Sequence, residues 1–364
     1  MFFITLLFSI IYFLILLFLT IGIWKIRKPA TTNSVKQISV IVAARNEADN
    51  ITRLIKHLSG QNYPIDNYEI IIVDDRSSDR TSEIVSEMQK NIKNLFLHRI
   101  SPSEPGGKKR ALVKGISNAR SQLLAFTDAD CLPEENWLAE LSRHIADRVD
   151  FVAGYSPLVE KKKSLLLFLK NLERISIFAV SAGGIGWGLG LTCTGRNMAY
   201  RRSLYDKVGG FADLEDIPSG DDDLMIQRMT SLARKMTFMF TPGSIVPSFD
   251  NKTIKDQIHM ETRRASKWRL YPGYIKIGTF FVFLYYFCFM IMIILLLSGK
   301  ITEIEFLILL SIKVIAELLI LMTYMSKIAA LSYLLFYPLA LFLHLPYFLF
   351  FALKGTFGSY RWKN

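Results

Sequence analysis

Residues 1–24 (MFFITLLFSIIYFLILLFLTIGIW) contain no charged side chain, and a second apolar block fills residues 275–353. The two blocks bracket a middle of ordinary soluble composition, and that distribution limits what the chain can fold into. An uncharged run of this length is long enough to span a bilayer as a helix. A cleaved signal would carry basic residues before its apolar core and a small-x-small site after it, and neither is present. The charges follow the run instead, at Lys25, Arg27 and Lys28. By the positive-inside rule, residues 1–24 are expected to be a retained anchor with the N-terminus outside and the middle of the chain in the cytoplasm.

The C-terminal block resolves into apolar segments at 276–298, 303–325 and 328–353, broken at Ser298-Gly299-Lys300 and at Ser326-Lys327. Four spans in all would leave the tail 354–364 outside, yet its Lys354, Arg361 and Lys363 favour the inside. Pro338 and Pro346 mark 328–353 as the irregular piece, so the block is expected to hold two or three helices. Lys313 and Glu317 stand one helical turn apart within it. Isolated charges at that depth are costly; at i,i+4 they pair and face protein. A packing ion pair and an acceptor path are the two readings of that pair.

The formal net charge is +12, from 44 Lys and Arg against 32 Asp and Glu. These cations are dispersed and partly flank the apolar segments, which fits lipid headgroups more simply than a nucleic-acid groove, and no nucleic-acid partner is expected. The three cysteines, Cys131, Cys193 and Cys288, are odd in number and widely spaced. They make neither a disulfide framework nor a zinc site.

Residues 36–270 read as one α/β domain. Gln37–Ala44 is a β-branched run flanked by polar residues, hence a buried strand. A helix follows from about Asn50, then strand Glu69–Val73, a helix near Asp79–Thr81, strand Leu95–Arg99, a helix over Lys109–Ala119 and strand Leu123–Thr127. Alternation at this pitch predicts a mostly parallel, Rossmann-like sheet. Ligands of such sheets bind beyond the carboxyl ends of the strands. Those ends carry Ala44-Arg45-Asn46-Glu47, Asp74-Asp75 and Asp128-Ala129-Asp130.

Asp128 and Asp130, at i and i+2 on a strand end, can reach one divalent cation. Mg2+ or Mn2+ takes oxygen ligands and bridges carboxylates to phosphates. Asp74 and Asp75 either accept hydrogen bonds from a base or ribose, or are simply solvated. Gly106-Gly107-Lys108-Lys109 opens a helix, as a phosphate cradle or as a plain basic loop. Gly220-Asp221-Asp222-Asp223-Leu224 crowds three carboxylates at a helix start, offering a general base, a metal ligand or an acidic cap. Arg263, Arg264 and Lys267 precede the C-terminal apolar block, where they either close over a diphosphate or form a juxtamembrane basic patch.

In order along the chain, SVIVAARNE (39–47), VDDRSSDRT (73–81), GKKRAL (107–112), FTDADC (126–131), GRNMAYRRSLYDKVGGF (195–211) and GDDDL (220–224) resemble the motifs of glycosyltransferase family 2. The resemblance covers roughly 37–270. It implies a GT-A fold and an inverting transfer from a nucleotide-sugar, expected to be a UDP-sugar, to a membrane-associated, lipid-linked acceptor. By it, Ala44, Asn46, Glu47, Asp74, Asp75, Lys108, Asp128, Ala129 and Arg263 would bind the nucleotide-sugar. Asp128 and Asp130 would hold Mg2+ or Mn2+, Gly195, Asn197 and Asp221 would face the acceptor, and Asp222 would be the base. Such a transfer is direct attack of the acceptor hydroxyl on C1, which asks of the protein position, a base and charge neutralisation.

Two departures matter. Arg76 and Arg80 stand where glycine is commoner, so that turn must tolerate side chains. Processive members usually carry Gln-x-x-Arg-Trp; in Met260-Glu261-Thr262-Arg263-Arg264 only Arg263 fits, which favours a short lipid-linked product over a polymer. A processive polysaccharide synthase, a transporter with a nucleotide-binding domain and an inactive scaffold are the rivals. Ser164–Ala182 reads as an amphipathic helix, on the membrane or in a core, and Gly183–Gly190 as a flexible loop.

Overall fold

The computed structural model describes residues 1–29, 35–145, 148–160, 164–214, 217, 220–249 and 254–358. In chain order the elements begin with α1 (Phe2–Lys25), β1 (Ile38–Ala44), α2 (Ala48–Ser59), β2 (Tyr68–Asp74), α3 (Thr81–Gln89), β3 (Leu95–Arg99) and α4 (Lys108–Asn118). There follow β4 (Leu123–Phe126), α5 (Trp137–His144), β5 (Phe151–Gly154), β6 (Leu158–Val159), α6 (Leu165–Gly186), β7 (Met198–Arg201), α7 (Arg202–Lys207) and α8 (Asp223–Met229). The last are β8 (Met236–Met239), β9 (Ser248–Phe249), α9 (Ile254–Ser266), α10 (Gly273–Leu297), α11 (Glu303–Lys327) and α12 (Tyr337–Phe357). They fall into two compact units. An α/β unit comprises Ile26–Lys162 and Gly188–Asp250; a helical unit comprises Met1–Lys25, Lys163–Trp187 and Asn251–Asn364.

The α/β unit is built on a seven-stranded sheet in the order β3-β2-β1-β4-β7-β5-β8, beside a two-stranded β6-β9 pair. The first four neighbours are parallel, as the strand–helix alternation predicts, while β7 runs antiparallel to both β4 and β5. β1 and β2 are buried on both faces, which is why they read as unbroken apolar runs. Ile38, Val40 and Val42 pack with Ile51, Leu54 and Leu58 of α2. Ile71 and Val73 pack with Ala111 of α4 on the other side. Each such side chain contributes about 1.5–3 kcal/mol by leaving water. A one-residue slip in the Ile38↔Tyr68 register would invert every one of them.

One buried polar knot pins the opposite end of these strands. Ser39 Oγ donates to Glu69 at 2.6 Å, and the backbone N–H groups of Arg120 and Ser121 close the knot at 2.6 and 3.1 Å. β1, β2 and the entry to β4 are thereby held in one register, with their carboxyl ends aligned.

In the helical unit, four helices are long and apolar enough to cross a membrane: Phe2–Lys25, Gly273–Leu297, Glu303–Lys327 and Leu331–Phe357. The last is irregular as its prolines require, with a 3-10 stretch over Leu331–Phe336 before α12 and Pro346 inside it. Of the basic tail, Arg361 and Lys363 lie outside the described residues. The Lys313–Glu317 ion pair forms. Glu317 also accepts from Tyr12 at 3.0 Å, Tyr286 at 3.4 Å and Tyr337 at 2.8 Å, so α1, α10, α11 and α12 meet at one carboxylate. Both carboxylate oxygens accept from protein donors, which makes the pair a packing hub.

The glycine-rich stretch after Ala182 is the main correction. Gly183–Gly186 is not a loop but the last turn of α6. A Cβ on Gly22 of α1 would overlap the Gly183 carbonyl, and one on Gly186 would overlap the Gly22 carbonyl. The glycines let two helix backbones touch, and that packing outweighs their low helix propensity. α6 buries Leu167, Phe178, Ala182 and Ile185, while Leu165 and Leu166 stay exposed.

Candidate active site

The carboxyl ends of β1, β2 and β4 share one edge of the α/β unit, and the predicted site residues gather along it. At the end of β1, Asn46 takes a left-handed conformation with φ 55. Its N–H donates to Ser77 Oγ at 3.0 Å, and its Oδ1 accepts from the Ser78 N–H at 2.8 Å. Glu47 N–H donates to Thr81 at 2.8 Å, and Asp79, two residues before α3 begins, accepts from the Thr81 N–H at 3.0 Å. Asp79 also accepts from the Ala48 N–H at 3.0 Å, so the loops after β1 and β2 are stitched into one wall.

Asp74 and Asp75 are not solvated; both are buried. Asp74 accepts from the Ser77 N–H at 3.2 Å, and Asp75 N–H donates to the Ala44 carbonyl at 2.8 Å. Asp75 Oδ2 accepts from the Gly107 N–H at 2.9 Å, while its Oδ1 lies 3.8 Å from Arg76 Nε and has no hydrogen-bond partner among the described residues. A buried carboxylate oxygen with its hydrogen-bonding capacity unused is a place for an incoming donor group. Arg76 is left-handed at φ 55, and its guanidinium lies across Gly106, where a side chain would collide with it.

Gly107, at φ 134, turns the chain into α4 and delivers Lys108. Lys109 instead points inward and donates to the carbonyls of Leu214 and Ile217 at 2.7 Å each. The Lys108 ammonium sits 2.8 Å from Asp128 Oδ1 and 2.8 Å from Asp221 Oδ2. Burial alone would lower its pKa; the two carboxylates reverse that and hold it above the usual lysine value. Burial likewise works to raise the Asp128 pKa, and Lys108 and Arg196 outweigh it and hold the carboxyl below its ordinary range.

Arg196 was not singled out from the sequence. In the antiparallel ladder Phe126 faces Met198, so two residues further out Asp128 comes opposite Arg196. Its guanidinium reaches 3.5 Å from Asp128 and 3.9 Å from Asp130. Gly195 N–H donates to Asp222 at 3.3 Å, and Asp222 in turn accepts from the Asp223 N–H at 2.7 Å at the start of α8. A Cβ on Gly195 would lie 3.2 Å from Asp221 and 3.5 Å from Lys108, so only glycine leaves that approach open. Asn197 is fully buried. It donates to the Tyr155 and Ser244 carbonyls at 2.9 and 2.8 Å and accepts from Trp137 Nε1 at 3.0 Å, which holds the loop in place. Asp223 accepts from Thr192 at 2.6 Å and from the Cys193 N–H at 3.2 Å. Arg263 is carried by α9 of the helical unit.

Whether these residues suit a divalent cation can be judged from Arg196. One cationic group already lies against both the Asp128 and the Asp130 carboxylates, so the two converge on a common position. No group of three carboxylate, thiol or imidazole ligands converges among the described residues. Mg2+ and Mn2+ sites that use one or two carboxylates plus substrate phosphates need no such cage. The donor set therefore fits.

Residues 39–209 match the family model for glycosyl transferase family 2. A probable glycosyltransferase, YdaM of Bacillus subtilis, is 30% identical over 233 residues, covering 63% of this chain and 54% of that protein. The beta-monoglucosyldiacylglycerol synthase of Trichormus variabilis is 38% identical over 93 residues, covering 26% of this chain and 20% of that one. The chain thus spans about half of the first relative's length and less of the second. Among solved structures, mannosyltransferase PcManGT from Pyrobaculum calidifontis, in complex with GDP-Man and Mn2+, superposes with a TM-score of 0.56 over 97% of both chains at 20% identity. At that identity the likeness speaks for the fold alone. The chain carries a glycosyl transferase family 2 domain built on the GT-A fold.

Proposed function

We propose that the protein transfers a sugar from a nucleotide-sugar to a lipid or lipid-linked acceptor at the cytoplasmic face of a membrane, with inversion at C1. The observation that carries this is the cluster of Lys108, Asp128, Asp130, Arg196, Asp221 and Asp222 on the carboxyl edge of the sheet. A diphosphate leaving group needs fixed positive charge and an acceptor hydroxyl needs a base, and the cluster offers both within one wall.

In this reading Asp75, through its Oδ1, with Asp74, Asn46, Glu47 and Ala44, receives the nucleoside, and Lys108 the diphosphate. Asp128 and Asp130 hold Mg2+ or Mn2+, which when bound neutralises developing charge on the leaving diphosphate. Asp222 takes the proton of the attacking hydroxyl while its carboxylate is steadied by the Gly195 and Asp223 N–H groups. Asp221 and Gly195 border the acceptor side, and Asn197 supports them from the core. The four apolar helices and a relative named for making a glucosyldiacylglycerol support a lipid-bearing acceptor.

The test uses full-length protein in detergent with Mn2+ and UDP-, GDP- and dTDP-sugars, reading thermal shift and nucleotide release. The reading expects one nucleotide to stabilise the protein. No response to any of them contradicts it. A ladder of long radiolabelled products would favour a processive synthase instead.

A further inference from the structure

The proposed roles account for Lys108 as the cation that meets a diphosphate. They leave Arg196, whose guanidinium lies against both carboxylates of the Asp-x-Asp turn. The backbone around it is held. Gly195 N–H is bonded to Asp222, Arg196 N–H approaches Thr194 Oγ1 at 3.4 Å, and Asn197 is anchored by three side-chain hydrogen bonds. The loop is therefore not free to carry the residue away. What its own rotatable bonds can redirect is the side chain, which is 15% exposed.

A guanidinium and a divalent cation repel one another, and both cannot hold the same pair of carboxylates at close range. The planar fork of arginine does, however, match a phosphate or diphosphate as well as it matches a carboxylate. We propose that Arg196, beside the Lys108 that already pairs with Asp128 Oδ1, is the resident cation shared by Asp128 and Asp130. It occupies the Asp128–Asp130 position when no metal is there, yields that position to the divalent metal, and transfers its guanidinium to the diphosphate that arrives with the metal. This rests on the reading that the site takes a nucleotide-sugar with a metal. The consequence is energetic coupling: metal alone must displace a favourable ion pair, whereas metal with nucleoside diphosphate gives the guanidinium a new partner. Such coupling is reciprocal between the two ligands.

The test is equilibrium binding to the full-length protein in detergent. Mn2+ is titrated alone and followed by the paramagnetic resonance of the free ion; UDP and GDP are then titrated in the presence of EDTA. Arg196→Met is expected to bind Mn2+ alone at least about fivefold more tightly than the wild type. It is also expected to bind the preferred nucleoside diphosphate more weakly without metal. Arg196→Lys keeps a charge in the loop and is expected to bind Mn2+ within about twofold of the wild type, which keeps the comparison readable if the methionine variant fails to fold. Equal or weaker Mn2+ binding by Arg196→Met overturns the proposal, because a residue that merely orders the two aspartates would give that result. So does a lysine variant that binds Mn2+ at least fivefold more tightly. If neither UDP nor GDP binds the wild type with or without Mn2+, the nucleotide-sugar reading fails, while the Mn2+ arm still decides whether Arg196 and the metal compete.

Discussion

The Lys108 ammonium bridges Asp128 and Asp221 at 2.8 Å each, joining the turn after β4 to the acidic turn before α8. Removing it takes that counter-charge from the part-buried Asp221 and leaves Asp128 to Arg196 alone. Lys108→Met is expected to cost about 1–3 kcal/mol of stability and about a hundredfold or more in transfer. Thermal unfolding and turnover of the same preparation check the two halves. Lys108→Arg keeps the charge and is expected to recover much of the stability.

Arg76 holds a left-handed backbone at φ 55 in a turn where glycine is commoner. That conformation costs an ordinary side chain about 1 kcal/mol or more. Arg76→Gly is therefore expected to be more stable than Arg76→Ala by about 1 kcal/mol, although both lose the same guanidinium. Equal melting points would mean that the turn relaxes out of the left-handed region.

Gly22 and Gly186 allow α1 and α6 to meet backbone to backbone. Gly22→Ala pushes a methyl group into the Gly183 carbonyl, which cannot move away as a side-chain tip would. A loss of about 1–3 kcal/mol is expected in detergent melting. Gly278 on α10 has nothing near its missing Cβ, so Gly278→Ala is the control, neutral or stabilising by up to about 1 kcal/mol.

Much of the catalytic edge was legible in the sequence because parallel strands buried on both faces show as continuous apolar runs that stop at their polar ends. β1, β2 and β4 were found that way, and with them Asn46, Asp74, Asp75, Asp128 and Asp130. Arg196 was not, because it meets Asp128 through the antiparallel pairing of β4 with β7, whose Phe126–Met198 pair joins residues 72 apart in sequence, a non-local fact. The glycines after Ala182 misled for a related reason. Their local propensity favours a loop, and only the close approach of α1, far away in sequence, makes them helical.

Glu173 on α6 has its pKa pushed up to about 7, by burial first and by the Glu261 carboxylate second, against the pull of Arg264. A carboxyl raised in the folded state is at no disadvantage at low pH, where it is protonated in both states. Between its ordinary value of 4.5 and about 7, the unfolded chain ionises and the folded one does not, so stability falls across that window and then levels. The loss is up to about 3 kcal/mol. Melting points of wild type and Glu173→Gln from pH 4.5 to 7.5 should converge at the acid end, with the wild type falling more steeply. Parallel curves would contradict the assignment.

The central claim is that the acidic edge transfers a sugar with Asp222 as the base. Its most direct measurement compares wild type and Asp222→Asn, full length, with Mn2+, the nucleotide-sugar that stabilises the protein and a membrane lipid extract as acceptor. Labelled glycolipid formation is followed alongside donor affinity. The account predicts a fall of about 10²–10⁴ in the transfer rate, with donor affinity unchanged within a few-fold. An Asp222→Asn protein that binds donor and still transfers at the wild-type rate would contradict it.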